Sequence, residues 1–403
     1  MDPHIRELLD LFARWVHLIA GIMWVGNSML FNWLDRNLVK PPDASENIEG
    51  EMWMLHSGGF YHVVKQQLAP GRMPAILHWF KWQSYTTWIS GMFLLAIVYY
   101  MGDGAFMVDP SVARISPMVA IAIGLGTLAG GWLLYDALWR SPLGKGKAAV
   151  GISLGLAAGV VFMLTQLLSG RAAYIHVGAM LGTLMAGNVF FHIIPSQRQL
   201  VAATERGEKP DPALAWQAKK RSIHNNYMTF PLLFIMVSNH FPGTFAQSLN
   251  WLILGVVMLG GATARHWLNI RFVFPDWKPA LATTIALTVG LLFALMTPGV
   301  LKAEQSDSQH AALSTEPVAF AQAQAVIDQR CITCHSAKPS DPSFPQPPGG
   351  VSFDTPEQIA RMASRIKVRA VLGQSMPLGN KTGMTPDERA LLGRWIDQGA
   401  GIE

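Results

Sequence analysis

A series of long apolar stretches limits what this chain can fold into. Eight of them follow one another along most of the sequence, and each can be completed to the roughly 20 helical residues that cross a hydrocarbon core. Because backbone groups in lipid must find hydrogen bonds within the chain, such stretches predict membrane-spanning α-helices. They lie at about residues 11–34, 87–101, 115–138, 148–168, 172–194, 227–241, 249–268 and 280–301.

The composition agrees with a membrane domain joined to a soluble one. Hydrophobic residues make up 50% of the chain and charged residues only 14%, against about a quarter in soluble proteins. With two cysteines and a net charge of +5 over 403 residues, a disordered chain, a disulfide scaffold, an ordinary cytosolic enzyme and a nucleic-acid-binding protein are excluded. We expect a membrane domain at 1–302, a linker at 303–315 and a soluble domain at 316–403.

The basic residues of the loops predict how the helices are oriented. Most of them follow the first, third, fifth and seventh stretches, whereas the loops after the second, fourth and sixth contribute only Arg114 and Arg171. Loops rich in Lys and Arg stay in the cytoplasm. Both termini and the soluble domain are therefore expected on the outer side of the membrane.

The soluble domain contains the strongest single motif, Cys331-Ile332-Thr333-Cys334-His335. This CxxCH pattern is typical of c-type haem attachment, in which both thiols bind the porphyrin and the histidine binds the iron. A redox-active dithiol is the alternative. Haem c is attached outside the cytoplasm in bacteria, which is the side that the basic loops predict for this domain.

Two methionines are candidates for the sixth iron ligand. Met384 stands directly before Thr385-Pro386-Asp387-Glu388, a pattern typical of an N-capping box, so Met384 fits a hydrophobic staple. Met376, followed by Pro377, is therefore the preferred ligand.

The order of elements in the soluble domain is also informative. A second capping box, Thr355-Pro356-Glu357-Gln358, opens an earlier helix, and a closing helix carries Trp395. In this order, residues 316–403 resemble single-haem cytochrome c domains. The expected fold is therefore all-α: a polytopic bundle of eight transmembrane helices with a small C-terminal cytochrome c domain.

Histidines in the membrane stretches are candidates for a second, non-covalent haem of the b type. His17, His176 and His240 fall towards the outer side, and one histidine from each of two helices can bind a single iron. Gly21, four residues after His17, leaves room for a flat macrocycle. The alternatives are close packing of helices at small residues and buried neutral histidines bonded to backbone carbonyls.

Spacing leaves the pairing of these histidines open. His192 follows His176 by sixteen residues, and His240 follows His224 by the same number. Each pair is therefore expected to point to nearly opposite faces of an ideal helix. Pro231 can kink the sixth stretch and change that angle.

A second group of polar residues is expected at the inner side. His224-Asn225-Asn226-Tyr227 begins the sixth stretch and Arg265-His266 ends the seventh, and the short loop between the two stretches predicts antiparallel neighbours. A guanidinium with imidazoles and amides can bind a planar anionic heterocycle, and a histidine can accept its proton. Snorkelling of the arginine to the interface is the alternative. The candidate catalytic residues are His224, Asn225, Arg265 and His266.

Five motifs stand in a fixed order along the chain. They are His56-Ser57-Gly58-Gly59-Phe60-Tyr61, Leu77-His78-Trp79-Phe80-Lys81-Trp82, Tyr85-Thr86-Thr87-Trp88-Ile89-Ser90-Gly91, His224-Asn225-Asn226-Tyr227 and Ser238-Asn239-His240. Together they resemble the bacterial membrane-bound urate oxidases, in which eight membrane helices are fused to a C-terminal cytochrome c. The resemblance covers nearly the whole chain, although Gln83 stands where that family's pattern has an acidic residue.

The resemblance implies a urate hydroxylase, which converts urate and water into 5-hydroxyisourate and passes electrons through haem without making peroxide. The expected cofactors are one covalent haem c and a haem b in the membrane domain. The expected partners are urate, the lipid bilayer and an electron acceptor such as a cytochrome oxidase or a soluble cytochrome c, with no nucleic acid. The expected location is the bacterial inner membrane, with the cytochrome domain on the periplasmic side.

Two other functions remain open on the residues alone. A quinol-linked electron-transfer protein would reduce the c haem with quinol and not with urate. A copper-handling membrane protein would need methionine-rich outer loops, but the 20 methionines of this chain are scattered and stand mostly within the apolar stretches.

Overall fold

The computed structural model describes residues 3–101, 104, 106–297, 317–344, 346–373 and 375–402. Most of these residues are helical. The helices of the first part are α1 (Pro3–Asn37), α2 (Trp82–Leu95), α3 (Pro117–Arg140), α4 (Ala148–Leu167), α5 (Gly170–Gly187), α6 (Ile194–Glu205), α7 (Pro212–Ser238), α8 (Asn250–Ile270) and α9 (Trp277–Met296). Those of the second part are α10 (Phe320–Arg330), α11 (Pro356–Arg361), α12 (Ala363–Ile366) and α13 (Pro386–Asp397).

Six helical segments within the described ranges are long and apolar enough to cross a membrane. They are Ile5–Asn37, Pro117–Arg140, Ala148–Leu167, Gly170–Glu205, Asn250–Ile270 and Trp277–Met296. The second and sixth predicted stretches are helical too, but α2 is short and α7 carries several charged and amide side chains. The expected linker at 303–315 and the end of the eighth stretch, 298–301, lie outside the described residues.

Helix α5 lies at the centre of the first part, where it contacts α2, α3, α4 and α7. Its Tyr174 is fully buried, with the hydroxyl 2.7 Å from the carbonyl oxygens of both Thr244 and Asn250. Helix α9, by contrast, buries none of its residues. A buried central helix inside an apolar outer ring is the arrangement expected of helices that face lipid.

A β-hairpin after α1 departs from the all-α prediction. Strand β1 (Ile48–His56) pairs antiparallel with β2 (Gly59–Gln66). Ser57 and Gly58 form the turn with φ angles of 50° and 77°, and positive φ at both positions is what a type I′ hairpin requires. His62 stacks on Trp53 across the strands, with ring centroids 4.4 Å apart. This cross-strand packing stabilises the hairpin. An alternation of apolar and polar residues in the sequence does not reveal its strands.

The second part has its own hydrophobic core, to which Phe320, Ile359 and Trp395 contribute. Both predicted capping boxes are confirmed, because Thr355 and Thr385 each accept a hydrogen bond from the backbone three residues on. The expected order of helix, CxxCH, helix and closing helix is present.

One turn of the first part contacts the second part. The segment Lys367–Leu372, a π-helical turn after α12, packs against Pro242–Thr244, the turn between α7 and α8. The CxxCH-containing part therefore lies at the end of α7 that carries Ser238, whereas His224 lies near the middle of that helix.

Candidate functional site

His17 of α1 lies against α2. Its Nδ1 is 2.9 Å from the carbonyl oxygen of Thr87 and 3.1 Å from Ser90 Oγ. Because a carbonyl can only accept, Nδ1 carries the proton, and Nε2 has no partner within the described ranges. The glycine beside the ring is Gly91 and not Gly21, since a Cβ at Gly91 would lie 2.9 Å from Cε1. An imidazole held by Nδ1 with Nε2 free fits an axial haem ligand.

His176 of α5 is fully buried. Its Nδ1–H donates to the Ala172 carbonyl at 2.7 Å, and its Nε2 accepts from the Tyr100 hydroxyl at 3.0 Å. A Cβ at Gly124 of α3 would lie 2.5 Å from Nε2, so the ring fills the space that this glycine leaves. Iron could bind at Nε2 only if the Tyr100 hydroxyl moved away.

A π-helical turn follows each of two helices near these histidines. Ala96–Tyr100 extends α2, and both Tyr99 and Tyr100 lie beside the His176 ring, with centroids 6.1 and 5.8 Å away. A π-turn contains more residues than an α-turn and is common at functional sites. Consecutive tyrosines therefore pack on one imidazole.

The second π-helical turn, Asn188–Ile193, corrects the expected separation of His176 and His192. Both imidazoles contact α3, His176 at Gly124 and His192 at Asp136. The wider turn reduces the rotation per residue, so sixteen residues bring the two side chains back to the same neighbour. An ideal α-helix would have directed them to nearly opposite faces.

His240 is exposed at the end of α7. Within the described ranges, no hydrogen bond or ring contact joins it to His17 or His176.

A buried ionic network lies on one side of α7, between α3 and the Asn188–Ile193 turn. Asp136 Oδ1 accepts from Arg221 Nη2 at 2.7 Å and from His192 Nε2 at 2.6 Å. Gln217 donates to His192 Nδ1 at 3.2 Å, and Arg221 donates to Asn188 Oδ1 at 3.3 Å. The guanidinium, only 4% exposed, is thus neutralised by a carboxylate.

His224 and Asn225 belong to the same side. Asn188 donates through its amide to the Tyr135 hydroxyl and to Asn225 Oδ1, at 2.9 Å each. The Tyr135 hydroxyl therefore has its hydrogen free to donate to His224 Nδ1, 2.7 Å away. These contacts tie both residues into the buried network, and His224 also reaches the wall of a cleft.

Arg265 and His266 of α8 face the other side of α7. Arg265 Nε donates to Asn226 Oδ1 at 2.7 Å, and the Asn269 amide donates to the same oxygen at 2.7 Å. The Tyr227 hydroxyl lies 2.8 Å from His266 Nδ1. Arg265 also lies over the Phe230 ring, 5.4 Å from its centroid.

The four candidate catalytic residues are therefore not brought together, which corrects the expectation of a single cluster. His224 and Asn225 contact α3 and α5, whereas Arg265 and His266 contact the next two residues of α7. The physical reason is helical rotation: successive residues turn by roughly 100°, so a run of four polar residues supplies both sides of the helix.

Two clefts open near these groups. The first has a volume of about 370 Å³ and is lined by Met29, Leu30, Asn32, Trp33, Phe230, Arg265, Leu268 and Arg271. The second, of about 460 Å³, is lined by Trp139, Gly144, Lys145, Gly146, Lys147, Val150, Trp216, Lys220, Ile223 and His224. Each combines aromatic and cationic side chains, the groups that suit a planar anion.

Sequence reasoning missed the centre of the ionic network. Asp136 stands in the apolar run of α3, and an acidic residue inside a membrane stretch is a functional signal by itself. Arg221 is one of the basic residues after the fifth apolar stretch that predicted the orientation, but it lies one turn before His224 on the same helix. Both positions could have been found by asking which charged residues continue an apolar helix.

The histidine of the CxxCH motif is fixed by a hydrogen bond to the backbone. His335 Nδ1–H donates to the Val351 carbonyl at 2.9 Å, which leaves Nε2 for iron. Cys331 and Cys334 are both free thiols. Met384 is buried in the core beside the α13 capping box, whereas Met376 is only partly buried, as expected if Met384 is the staple residue and Met376 faces a ligand.

Burial favours the protonated form of both thiols. Burial raises the pKa of Cys331 to about 12, and burial together with Asp341 raises that of Cys334 to about 11. Reactive dithiols need a lowered pKa, because the thiolate is the nucleophile. Among the residues that the structure describes, no group of three or more His, Cys, Asp or Glu side chains is arranged to hold a bare metal ion.

The apolar helices, the buried ionic network and the aromatic, cationic clefts define a helical protein suited to a membrane, with polar groups placed to bind a small molecule. The chain belongs to the urate oxidase N-terminal family, whose model matches residues 3–297. Membership indicates a urate-related oxidoreductase and confirms, at that level, the resemblance seen in the five motifs. No curated protein and no solved structure gives a significant match to the chain.

Proposed function

We propose that this protein is a membrane-bound urate hydroxylase that passes electrons to its own cytochrome c domain. The observation that carries the proposal is the joining of a urate oxidase N-terminal region, residues 3–297, to a CxxCH motif in one chain. The reaction is urate plus water giving 5-hydroxyisourate, two electrons and two protons. Water supplies the oxygen atom, and the electrons leave one at a time to haem.

The proposed topology has eight transmembrane helices with both termini on the periplasmic side of the inner membrane. Helices α2 and α7 complete the set of eight, because α2 continues through Ala96–Tyr100 and α7 has 27 residues. At about 1.5 Å per residue, α7 is long enough to cross a core about 30 Å thick. A reporter active only outside the cytoplasm should be active after Glu403 and silent within 198–221.

The proposed haem c is held by Cys331, Cys334 and His335, with Met376 as sixth ligand. A haem bound by these residues would supply one-electron chemistry. Met376→Ala should abolish the weak near-infrared charge-transfer band of His/Met haem, and Met384→Ala should retain it. The reverse pattern would reassign the ligand.

A haem b held by His17, with His176 or His240, is proposed as the carrier between the two sides. Electrons from an inner site must cross much of a core about 30 Å thick, and a single direct step over that distance would be very slow. Acid–acetone extraction removes haem b and leaves haem c. Purified protein without extractable haem or another redox metal would contradict the relay.

The deciding test is reduction of the c haem in the purified full chain. Urate should reduce it without oxygen and without peroxide, and quinol should not. The rival is a quinol-linked or copper-handling electron-transfer protein. Reduction by quinol alone would favour the former, and stoichiometric copper without urate activity the latter.

A further inference from the structure

We infer that the cleft between α1, α7 and α8 binds the urate anion, with Arg265 as its charge partner. This inference rests on the proposed function and selects one of two clefts for it. The argument starts from a buried charge that the protein itself does not neutralise.

Arg265 is only 5% exposed, yet its sole hydrogen-bond partner among the described residues is the neutral Asn226, through Nε. Neither Nη1 nor Nη2 has an acceptor there, and no carboxylate forms an ion pair with it. Burying an unpaired cation is strongly unfavourable. The two free guanidinium nitrogens and their position on the cleft wall therefore point to an anionic ligand.

The Arg265 side chain is already fixed in orientation. Asn226 Oδ1 holds Nε at 2.7 Å and is itself held by the Asn269 amide at 2.7 Å, while the Phe230 ring lies under the guanidinium. A fork positioned in this way can give two parallel hydrogen bonds to a planar anion. The ligand then meets a preorganised donor pair.

A second observation concerns hydrogen-bond polarity. Asn269 Oδ1 is buried and has no hydrogen-bond partner, the one such atom in the part of the chain that the structure describes. Asn269 shares the Asn226 oxygen with Arg265 but does not line the cleft, so an N–H donor would reach this acceptor only after the Asn269 side chain had turned. Urate offers both an anionic edge and ring N–H groups on one planar molecule.

The cleft has suitable walls and size. Trp33 and Phe230 provide aromatic surface, and Arg271 adds a second cation. A volume of about 370 Å³ lies within the usual range for small-molecule sites. The second cleft lacks a buried unpaired charge: its Lys220 donates to the Gly144 carbonyl at 2.6 Å and is only partly buried.

The test measures binding apart from turnover. The full-length protein in neutral-lipid nanodiscs, with its haem fully reduced beforehand, is equilibrated with radiolabelled urate, so that urate cannot donate electrons. Arg265→Met should weaken binding at least about 30-fold, the scale of losing a charge partner. Lys220→Met, which removes a cation from the second cleft, should change it less than about threefold.

A second variant separates recognition from folding. Asn269→Leu should reduce the preference of the protein for urate over N-methylated urates, because the methylated compounds lack the N–H donor. A merely structural role for Asn269 would weaken both ligands equally.

The outcomes are distinguishable. Unchanged binding in Arg265→Met, with urate still reducing the c haem, would overturn this site and leave the proposed function intact. Failure of the wild-type protein both to bind urate and to be reduced by it would overturn the function. If urate does not bind in the cleft and added phosphatidylglycerol binds in a way that depends on Arg265, the cleft holds a lipid headgroup. That result would overturn the inference.

Discussion

Arg221 and Arg265 lie on opposite sides of α7 and are almost equally buried, with 4% and 5% of their surfaces exposed. Arg221 donates to the Asp136 carboxylate at 2.7 Å, and Arg265 donates only to the Asn226 amide oxygen. The charge of Arg221 is neutralised by a carboxylate of the chain, whereas Arg265 has no carboxylate partner among the described residues. Two arginines with equal burial can therefore differ in role: Arg221 stabilises the packing of helices, and Arg265 is the residue that we propose binds an anion.

The largest loss of stability is expected when the ion pair between Arg221 and Asp136 is broken. Asp136→Asn leaves Arg221 buried without a carboxylate and should destabilise the protein by about 3–5 kcal/mol. Thermal unfolding in detergent would measure this change. Replacing both partners, as Asp136→Asn with Arg221→Met, should recover most of the loss, since no charge is then buried alone. A double variant as unstable as the single one would contradict the comparison.

Two matched tyrosines test the same difference with a smaller change. Tyr135 accepts from Asn188 and donates to His224, whereas Tyr227 makes only its contact with His266. Tyr135→Phe should destabilise by about 1–3 kcal/mol and Tyr227→Phe by about 1 kcal/mol or less, because the former leaves two buried groups unsatisfied. Equal losses in thermal unfolding would mean that the two sides are equally structural.

Arg265→Met should leave stability unchanged or raise it by about 1 kcal/mol, because it removes a buried charge without a partner. In wild-type protein, urate should raise the unfolding temperature through mass action. That increase should disappear in Arg265→Met. A fall in stability comparable to that of Asp136→Asn would show that Arg265 is a structural residue.

A third arginine, Arg330, tests outside the membrane region whether an arginine paired with a carboxylate contributes to stability. Arg330 pairs with Glu388 at 2.9 Å; burial opposes ionisation of Glu388, but the bonds from Arg330 and the Thr385 backbone lower its pKa overall. A lowered pKa in the folded state gives stability that is present above the ordinary value near 4.5 and is lost as the pH falls through the folded-state pKa.

The expected contribution of this pair is small, about 0.5 kcal/mol for partly exposed partners. The protection of α13 amides, taken relative to the intrinsic exchange rate at each pH, should therefore fall slightly on acidification, and Glu388→Gln should show less of that fall. The same pH response in both proteins would assign it to other carboxylates.

Local patterns predicted those parts of the structure that depend on local chemistry. Apolar length identified the helices, and Thr355 and Thr385 identified two helix starts, because a cap is made by residues three positions apart. The turn of the β-hairpin also depends on neighbouring residues in the sequence. Its strands, however, depend on contacts between the strands, such as Trp53 with His62, which a search for helical periodicity does not detect.

The division of the polar residues was not predictable in the same way. His224, Asn225 and Asn226 are adjacent in sequence, and only the placement of α3 and α8 decides which side each one serves. The resemblance to urate oxidases pointed to the correct family, and Arg265 was found as a candidate. Its lack of a carboxylate, which distinguishes it from Arg221, is a property of the assembled helices.

The π-helical turn at Asn188–Ile193 determines how a one-residue deletion would change the direction of His192. Deleting one residue between Asn188 and His192 would restore an ordinary turn and rotate the remainder of the helix by roughly 100°. His176 would keep its place beside Gly124, while His192 would turn away from Asp136, although neither histidine had been altered. The number of residues between the two imidazoles is thus as much a part of the site as the imidazoles themselves, and a homologue with a different count would need a different partner for His192.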